Sequence, residues 1–317
     1  MSAKTAAVPM RRGMTRAARI EELWGYLFVS PWLIGFIVLT AGAMIGGLGL
    51  SLFRYDIITP PKFVGLANYE RMLFDDWLFW HSMRLTGQYA VFSVFLGILS
   101  GLGAALLLNQ NVRGLTIYRT IYYLPSVVSV VAAAMMWAIV FHSEFGIVNG
   151  FLQIFGIDGP RWLSSTHMPV WTFIIIANWN VGVGIVIYLA ALQGVPTTLY
   201  EASIIDGAGR WRKFWHITLP MISPVIFFNF VMGIIGSLQV FTLAFVLSEA
   251  GSGGEIGGPA NASMFFVLYL YMSAFRFLKM GYASALAVAL FIVILTLTLI
   301  VFKVSGRWVY YEGALKR

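Results

Sequence analysis

The chain has 317 residues, of which 59% are hydrophobic and only 11% are charged. Soluble domains carry roughly 25% charged residues, so this composition excludes a water-soluble globule and indicates an integral membrane protein. Apolar runs of about 20 residues, enough to cross about 30 Å of hydrocarbon, recur along the chain. Because these runs are continuous, they favour helices over a β-barrel. The absence of cysteine excludes disulfides, thiolate chemistry and cysteine-ligated metals.

A basic segment precedes the first apolar run. Residues 1–22 carry five Lys and Arg residues, and the run extends from about Leu23 to Leu52. It is too long for a signal-peptide core and no small-residue cleavage site follows it, so we predict an uncleaved first span. Residues 53–83 mix charges with tryptophans, which is typical of the membrane interface. An amphipathic stretch led by Asn68 predicts a surface helix there, outside the membrane.

Five further spans are predicted, at about Leu85–Leu108, Leu115–Phe141 with a kink at Pro125, Pro169–Leu192, Ser223–Leu247 and Tyr282–Val304. An outer loop over 142–168 contains a small apolar helix, Ile147–Phe155. The glycine-rich segment 248–263 is expected not to hold a regular helix. Its residues 251–258 suit a mobile gate or a docking loop about as well as a plain connector. The aromatic stretch 264–277 is expected at the interface.

Six spans place both termini on one side of the membrane. That side holds fourteen of the 21 Lys and Arg residues, and the other side holds seven. Since cytoplasmic segments carry the basic excess, both termini and the loop 195–220 are predicted to be cytoplasmic. The predicted organisation is an all-α membrane protein with tails at 1–22 and 305–317. Between the tails lies a transmembrane domain over 23–304, with its core at about 84–304.

The loop 195–220 mixes acids, bases and large aromatic side chains between two apolar runs. Thr198 and Glu201 have the spacing of a capping box, which predicts a short helix from about Leu199 to Asp206. Gly207 is placed to end it, because glycine adopts the left-handed conformation at little cost. A second short helix is predicted over about Arg210–Ile217, ending before Pro220. Physical chemistry alone leaves two interpretations open: an ordinary interfacial loop on anionic lipid, or a docking element for a cytoplasmic partner.

The loop resembles a known motif. Glu201-Ala202-Ser203, then Gly207, then Ile217-x-Leu219-Pro220, is similar to the EAA–G–I-LP loop of ABC importer permeases, above all those for malto-oligosaccharides, glycerol 3-phosphate and other sugars. Ser203 departs from alanine but is still small. Tyr123-Leu124-Pro125 and Gln239-x-Phe241 also resemble that family. The residues that the resemblance assigns to docking are Glu201, Ala202, Ser203, Asp206, Gly207, Ala208, Phe214, Leu219 and Pro220.

The resemblance implies the MetI-like fold of type I importers and a bacterial or archaeal inner membrane. It also implies four partners: two ATP-binding subunits, a second homologous permease and an extracytoplasmic solute-binding protein. A Walker A motif is absent because no Gly-Lys pair occurs, so ATP and Mg²⁺ are expected on the partner ATPase. The chain is thus expected to be a non-enzymatic transport subunit without a cofactor. The four histidines lack metal-ligand spacing, and the basic residues follow membrane orientation, so neither a metal nor nucleic acid is expected.

Polar residues inside the spans mark a candidate solute pathway. Asn180 and Gln239 are the leading candidates, and the supporting residues are Trp179, Ser237, Phe241 and Asn178. The alternative is that these amides bridge helices. No span carries an ionisable residue deep in its middle, which favours a neutral polyhydroxyl solute. It argues against the second hypothesis, an ion-coupled secondary transporter. A membrane enzyme acting on lipid is the third class, and no catalytic cluster supports it.

Overall fold

The structure is a computed structural model that describes residues 15–110, 113–180, 182–251 and 254–310. A short antiparallel hairpin pairs β1 (Phe53–Arg54) with β2 (Lys62–Phe63). In the described ranges the chain forms thirteen α-helices: α1 Arg16–Leu50, α2 Ala67–Glu70, α3 Trp77–Leu108, α4 Leu115–Val127, α5 Val130–Val140, α6 Ile147–Ile154, α7 Pro169–Trp179, α8 Gly182–Gln193, α9 Thr197–Ile205, α10 Arg210–Leu238, α11 Thr242–Gly251, α12 Phe266–Arg276 and α13 Met280–Ser305.

Over these ranges the structure has four to six candidate spans, and the predicted six are reached when each bent helix pair is counted as one span. Helices α1, α3, α10 and α13 are each long and apolar enough to cross a bilayer, and the bent pairs α4–α5 and α7–α8 supply two more spans. The first span starts within the predicted basic tail, because Thr15 caps α1 by accepting a hydrogen bond from the Ala18 N–H at 3.4 Å. The rest of that tail, residues 1–14, lies outside the described residues, as do 311–317 of the predicted C-terminal tail.

The second span begins earlier than predicted, at Trp77 instead of Leu85. The cause is Asp76, whose carboxylate accepts hydrogen bonds from the N–H groups of Leu78 and Phe79 and so caps α3. The same carboxylate accepts hydrogen bonds from the hydroxyls of Tyr269 and Tyr282. One acidic side chain therefore fastens the start of α3 to α12 and α13.

Three predicted spans, the third, the fourth and the fifth, are interrupted, and the fourth divides into α7 and α8 after Trp179. The third was expected to kink at Pro125, but α4 continues past that residue to Val127, and α5 then leaves at 100°. The extended backbone of Val128 makes the corner. The fifth span was expected over Ser223–Leu247, but α10 starts at Arg210 and ends at Leu238, and α11 follows after a short break.

The prediction for residues 248–277 was partly wrong. Helix α11 reaches Gly251, so the glycine-rich segment is helical at its start. Its glycines at 254, 257 and 258 have positive φ, in agreement with an irregular path there. The aromatic stretch is mostly buried in the protein, since Phe265 and Phe266 are fully enclosed. Phe265 packs edge-on against Phe173 of α7 and Tyr89 of α3, which explains why it leaves the surface.

The buried apolar residues form two clusters at opposite ends of the bundle. The outer cluster surrounds Phe173, Phe265 and Leu286, and the inner cluster surrounds Ala105, Tyr188 and Ile222 next to the 195–220 loop. Small residues let the helices approach closely. A Cβ at Gly233 of α10, for example, would lie 3.2 Å from a methyl carbon of Val94 on α3.

Candidate solute cavity and docking loop

A cavity of about 650 Å³ lies between the two core clusters. Its wall includes Tyr89 from the outer cluster and Tyr188 from the inner one. Three interruptions of helices open onto it, at Val128 between α4 and α5, at Asn180 between α7 and α8, and at Val240 between α10 and α11. Where a helix is interrupted, backbone N–H and C=O groups lack helical partners, so discontinuous helices suit the binding of a polar solute within a membrane.

The part of the cavity wall that the structure describes is mostly apolar and carries no charged side chain. Its apolar surface is interspersed with hydroxyl, amide and aromatic groups, from Ser93, Trp137, Trp179, Asn180, Tyr188, Asn229 and Ser237. None of the residues that line it in the described chain is Asp, Glu, Lys, Arg or His. An ion would therefore enter without a counter-charge, whereas a solute with many hydroxyl groups would meet donors, acceptors and ring faces.

The structure brings three of the six predicted pathway residues to this wall: Trp179, Asn180 and Ser237. The other three lie elsewhere. The Asn178 amide donates to Ile174 O at 2.9 Å and accepts from Ser100 Oγ at 3.3 Å, so it bridges α7 and α3. Phe241 packs on Tyr271 with ring centroids 5.0 Å apart. Gln239 is exposed at the break after α10 but does not line the cavity.

The other four of these wall residues were not assigned to the pathway from the sequence: Ser93, Trp137, Tyr188 and Asn229. Trp137 meets Trp179 edge to face, with ring centroids 5.5 Å apart. Its indole nitrogen and the Tyr188 hydroxyl are both buried without a hydrogen-bond partner among the described residues. Trp137 and Tyr188 each lie in an apolar stretch of sequence, where a single aromatic residue is typical of the hydrophobic core. Only the positions of the neighbouring helices distinguish these residues.

The second feature is the loop 195–220, where α9 ends in a Schellman turn. Gly207 has φ +70°, and its N–H bonds to Ile204 O at 3.0 Å. The Ala208 N–H bonds to Ser203 O at 2.9 Å. These two bonds satisfy the last carbonyl groups of the helix and require the left-handed conformation at Gly207, which confirms its predicted role as helix terminator.

The predicted capping box is wrong. Helix α9 starts at Thr197 with Pro196 in the cap position, and no side chain caps it. Thr198 therefore lies inside the first turn, where its hydroxyl cannot take the capping position. The proline sets the start instead, because its fixed φ of −58° leads directly into the helix.

The second predicted helix was expected to end before Pro220, but it continues through the fifth span as α10. The chain passes Pro220 by a wide turn over Phe214–Thr218, in which the Leu219 N–H reaches back to Phe214 O. Pro224 leaves the Pro220 carbonyl without a backbone donor, and the Ser223 hydroxyl bonds to that oxygen at 2.7 Å. The loop is therefore continuous with the long apolar helix of the fifth span.

A side-chain contact braces α9 against the start of α10. The Tyr200 hydroxyl lies 2.9 Å from Thr218 Oγ1, and Ser203 is buried with its hydroxyl bonded to Tyr200 O. In contrast, the end of α9 projects outward, with Ile204 61% and Ile205 88% exposed. Four of the nine predicted docking residues are exposed, namely Glu201, Ala202, Asp206 and Gly207. Four are partly buried, namely Ala208, Phe214, Leu219 and Pro220, and only Ser203 is buried.

A family model described as binding-protein-dependent transport system inner membrane component matches residues 93–309, which include the whole loop and every described residue of the cavity wall except Tyr89. The chain belongs to this family. It is therefore an inner-membrane permease, and its family describes a transport component instead of an enzyme. The six-span fold found above is the fold expected of such a permease.

Similar proteins and a similar solved structure support this family assignment. The permease is 39% identical to the probable ABC transporter permease protein YesP of Bacillus subtilis, over 94% of this chain and 96% of that protein. It is 33% identical to the arabinooligosaccharides transport system permease protein AraP of Halalkalibacterium halodurans, over 94% and 90% of the two chains. A bacterial ABC transporter involved in the import of the acidic polysaccharide alginate has a similar chain, with a TM-score of 0.78 at 25% identity over 91% and 97% of the two chains. The protein is thus a permease of a binding-protein-dependent ABC importer.

Proposed function

We propose that the permease carries a neutral carbohydrate into the cell through the 650 Å³ cavity. The observation that supports this proposal most directly is the chemistry of the cavity wall, whose described residues offer hydroxyl, amide and indole groups and include no carboxylate or base. The relative AraP is named for arabinooligosaccharides, which are uncharged sugars. The related alginate transporter handles an acidic polysaccharide, for which a wall without cations is poorly suited.

Energy for transport enters through the loop 195–220 in this proposal. Helix α9 ends in a fixed turn, is braced on α10 by the Tyr200–Thr218 contact, and presents Ile204 and Ile205 to a partner. An ATP-binding subunit seated on this surface would move α10, whose far end at Leu238 adjoins the cavity. ATP and Mg²⁺ belong to that subunit, and Asp206 and Glu201 shape the docking surface without a catalytic part.

The complete assembly contains two ATP-binding subunits, a second homologous permease and an extracytoplasmic binding protein. Each permease supplies one docking loop, so two permeases are needed for two ATPases. The basic excess on the side of the loop supports a cytoplasmic position for both termini.

Reconstitution tests this proposal. The purified complex in liposomes, with its binding protein, should import radiolabelled arabinotriose, maltose or lactose when ATP is inside, and should ignore an oligouronate of similar length. Uptake driven by a proton gradient without ATP would favour a secondary transporter and contradict the proposal. Selective uptake of the oligouronate would contradict a neutral substrate while leaving the permease assignment intact.

A further inference from the structure

The polar groups of the cavity wall lie at two levels. The first level contains Trp179, Asn180 and Ser237, beside the helix interruptions. The second contains Tyr188 on α8 and Asn229 on α10. Tyr188 lies eight residues after Asn180, and Asn229 lies eight residues before Ser237. On α10 this interval corresponds to about 12 Å at 1.5 Å per residue, and on both helices the second level lies nearer the 195–220 loop along the chain.

Tyr188 and Asn229 face a common gap. A Cβ built on Gly184 would lie 3.8 Å from Tyr188 Cε2 and 3.9 Å from Asn229 Oδ1, so the bare glycine keeps the space between the two side chains open. The Asn229 Nδ2 group donates to Val225 O at 2.9 Å, which fixes the amide with its oxygen as the remaining acceptor. The gap therefore has an acceptor on one side.

The other side of the gap holds an unused donor. The Tyr188 side chain is only 2% exposed, and its hydroxyl has no hydrogen-bond partner among the described residues. Burying a hydroxyl without a partner is unfavourable, and native proteins keep few such groups. A sugar hydroxyl can donate to Asn229 Oδ1 while it accepts from Tyr188, so it matches both groups at once.

We propose that Tyr188 and Asn229 form a second station for the solute, which holds a sugar hydroxyl after the sugar has left the level of Asn180. This inference rests on the proposed carbohydrate function. The enclosed hydroxyl of Tyr188 becomes accessible when α8 and α10 shift during the transport cycle. The station then lowers the barrier for a neutral sugar on its way toward the loop side.

Tyr188→Phe tests the station, because it retains the ring and removes only the unpartnered hydroxyl. The sugar used is whichever of maltose, lactose and arabinotriose the wild-type complex imports. We expect its maximal ATP-driven uptake to fall about five-fold, the effect of losing one hydrogen bond. The unfolding temperature should stay the same or rise. Tyr69→Phe is the matched control, since it removes a bond of 2.7 Å to Ser51 Oγ away from the cavity and should lower stability without slowing uptake.

Gly184→Ala provides a second, independent test. The new methyl group makes only ordinary contacts, so the fold tolerates it, but it occupies the gap between Tyr188 and Asn229. Uptake should again fall about five-fold, since the sugar loses a hydrogen bond there. Gly103→Ala on α3 is the control, because a Cβ at Gly103 meets nothing within 4 Å, and this variant should transport normally.

Labelling gives a readout that does not depend on the transport rate. The chain has no cysteine, so Asn229→Cys introduces a single thiol. The imported sugar should slow its reaction with a small thiosulfonate reagent, and Ser100→Cys, outside the cavity wall, should react at an unchanged rate. Wild-type uptake in both Tyr188→Phe and Gly184→Ala would overturn the station, as would a fall in unfolding temperature that accounts for the lost uptake. A wild-type complex that imports none of the three sugars would instead refute the proposed carbohydrate function.

Discussion

The docking loop takes its shape from one continuous stretch, residues 195–220, whereas the cavity takes its wall from helices that lie far apart in the chain. In the loop, backbone bonds close a turn at Gly207, and one side-chain bond joins Tyr200 to Thr218. In the cavity, three helices are interrupted, and two buried donors have no partner among the described residues. The end of α9 is thus closed by hydrogen bonds, whereas the cavity wall keeps two buried donors unsatisfied among the described residues.

This difference is the one that the proposed function requires. A loop that transmits displacement from an ATP-binding subunit benefits from hydrogen bonds that hold α9 on α10. A cavity that opens and closes for a solute benefits from helix interruptions, at which segments such as α10 and α11 can turn separately.

The largest expected effect is that of Gly207→Val in the loop. A β-branched residue at φ +70° costs about 1–2 kcal/mol, and this strain would open the turn that ends α9. ATP-driven uptake should fall at least about ten-fold while the protein still inserts and assembles. Uptake and ATPase activity measured together in liposomes would show whether hydrolysis continues without transport.

Gly209→Val is the matched control for that change. Gly209 lies two residues away, has φ −72°, and a Cβ there meets nothing within 4 Å. It should behave as wild type. If Gly207→Val transports as well as Gly209→Val, the turn at Gly207 is not needed for coupling.

The cavity wall predicts that Asn180 and Gln239, the two leading candidates from the sequence, contribute unequally to solute binding. Asn180→Ala should raise the KM for the sugar about five- to ten-fold, because a wall amide that bonds the solute contributes about 1 kcal/mol or slightly more. Gln239→Ala should change KM less than about two-fold, because that side chain lies outside the wall. Equal effects of the two substitutions would mean that Gln239 reaches the solute in another conformation.

The loop was more predictable than the cavity for a physical reason. Its determinants are local: a glycine that ends a helix, a proline that starts one, and residues at fixed spacing between two apolar runs. Even so, Thr198 was misassigned as a cap, because Pro196 already fixes where α9 begins. The continuation of α10 past Pro220 was missed because a wide turn and the Ser223 hydroxyl compensate for the prolines.

For the cavity, the sequence revealed polar residues but not their directions. Asn178 and Asn180 are two positions apart, yet one bridges helices and the other lines the wall. The position at which α7 ends decides which of the two side chains faces the cavity, and the end of a helix is the least predictable part of a span. Tyr188 shows the same limit, since its importance lies in a missing partner that only the packing of α3, α8 and α10 reveals.

The smallest predicted effect concerns the brace between α9 and α10. Tyr200→Phe and Thr218→Val each remove the hydrogen bond of 2.9 Å, worth about 1 kcal/mol, so each should lower uptake about two- to five-fold at unchanged KM for the sugar. Thr218→Val also removes the longer bond of 3.4 Å from Thr218 Oγ1 to Lys213 O, so the double variant should be no worse than Thr218→Val alone. Thr218→Ser keeps the hydroxyl and should transport as wild type. Additive losses in the double variant, or a full loss in Thr218→Ser, would show that the two side chains act separately. The stiffness of the loop would then have to come from its backbone turn alone.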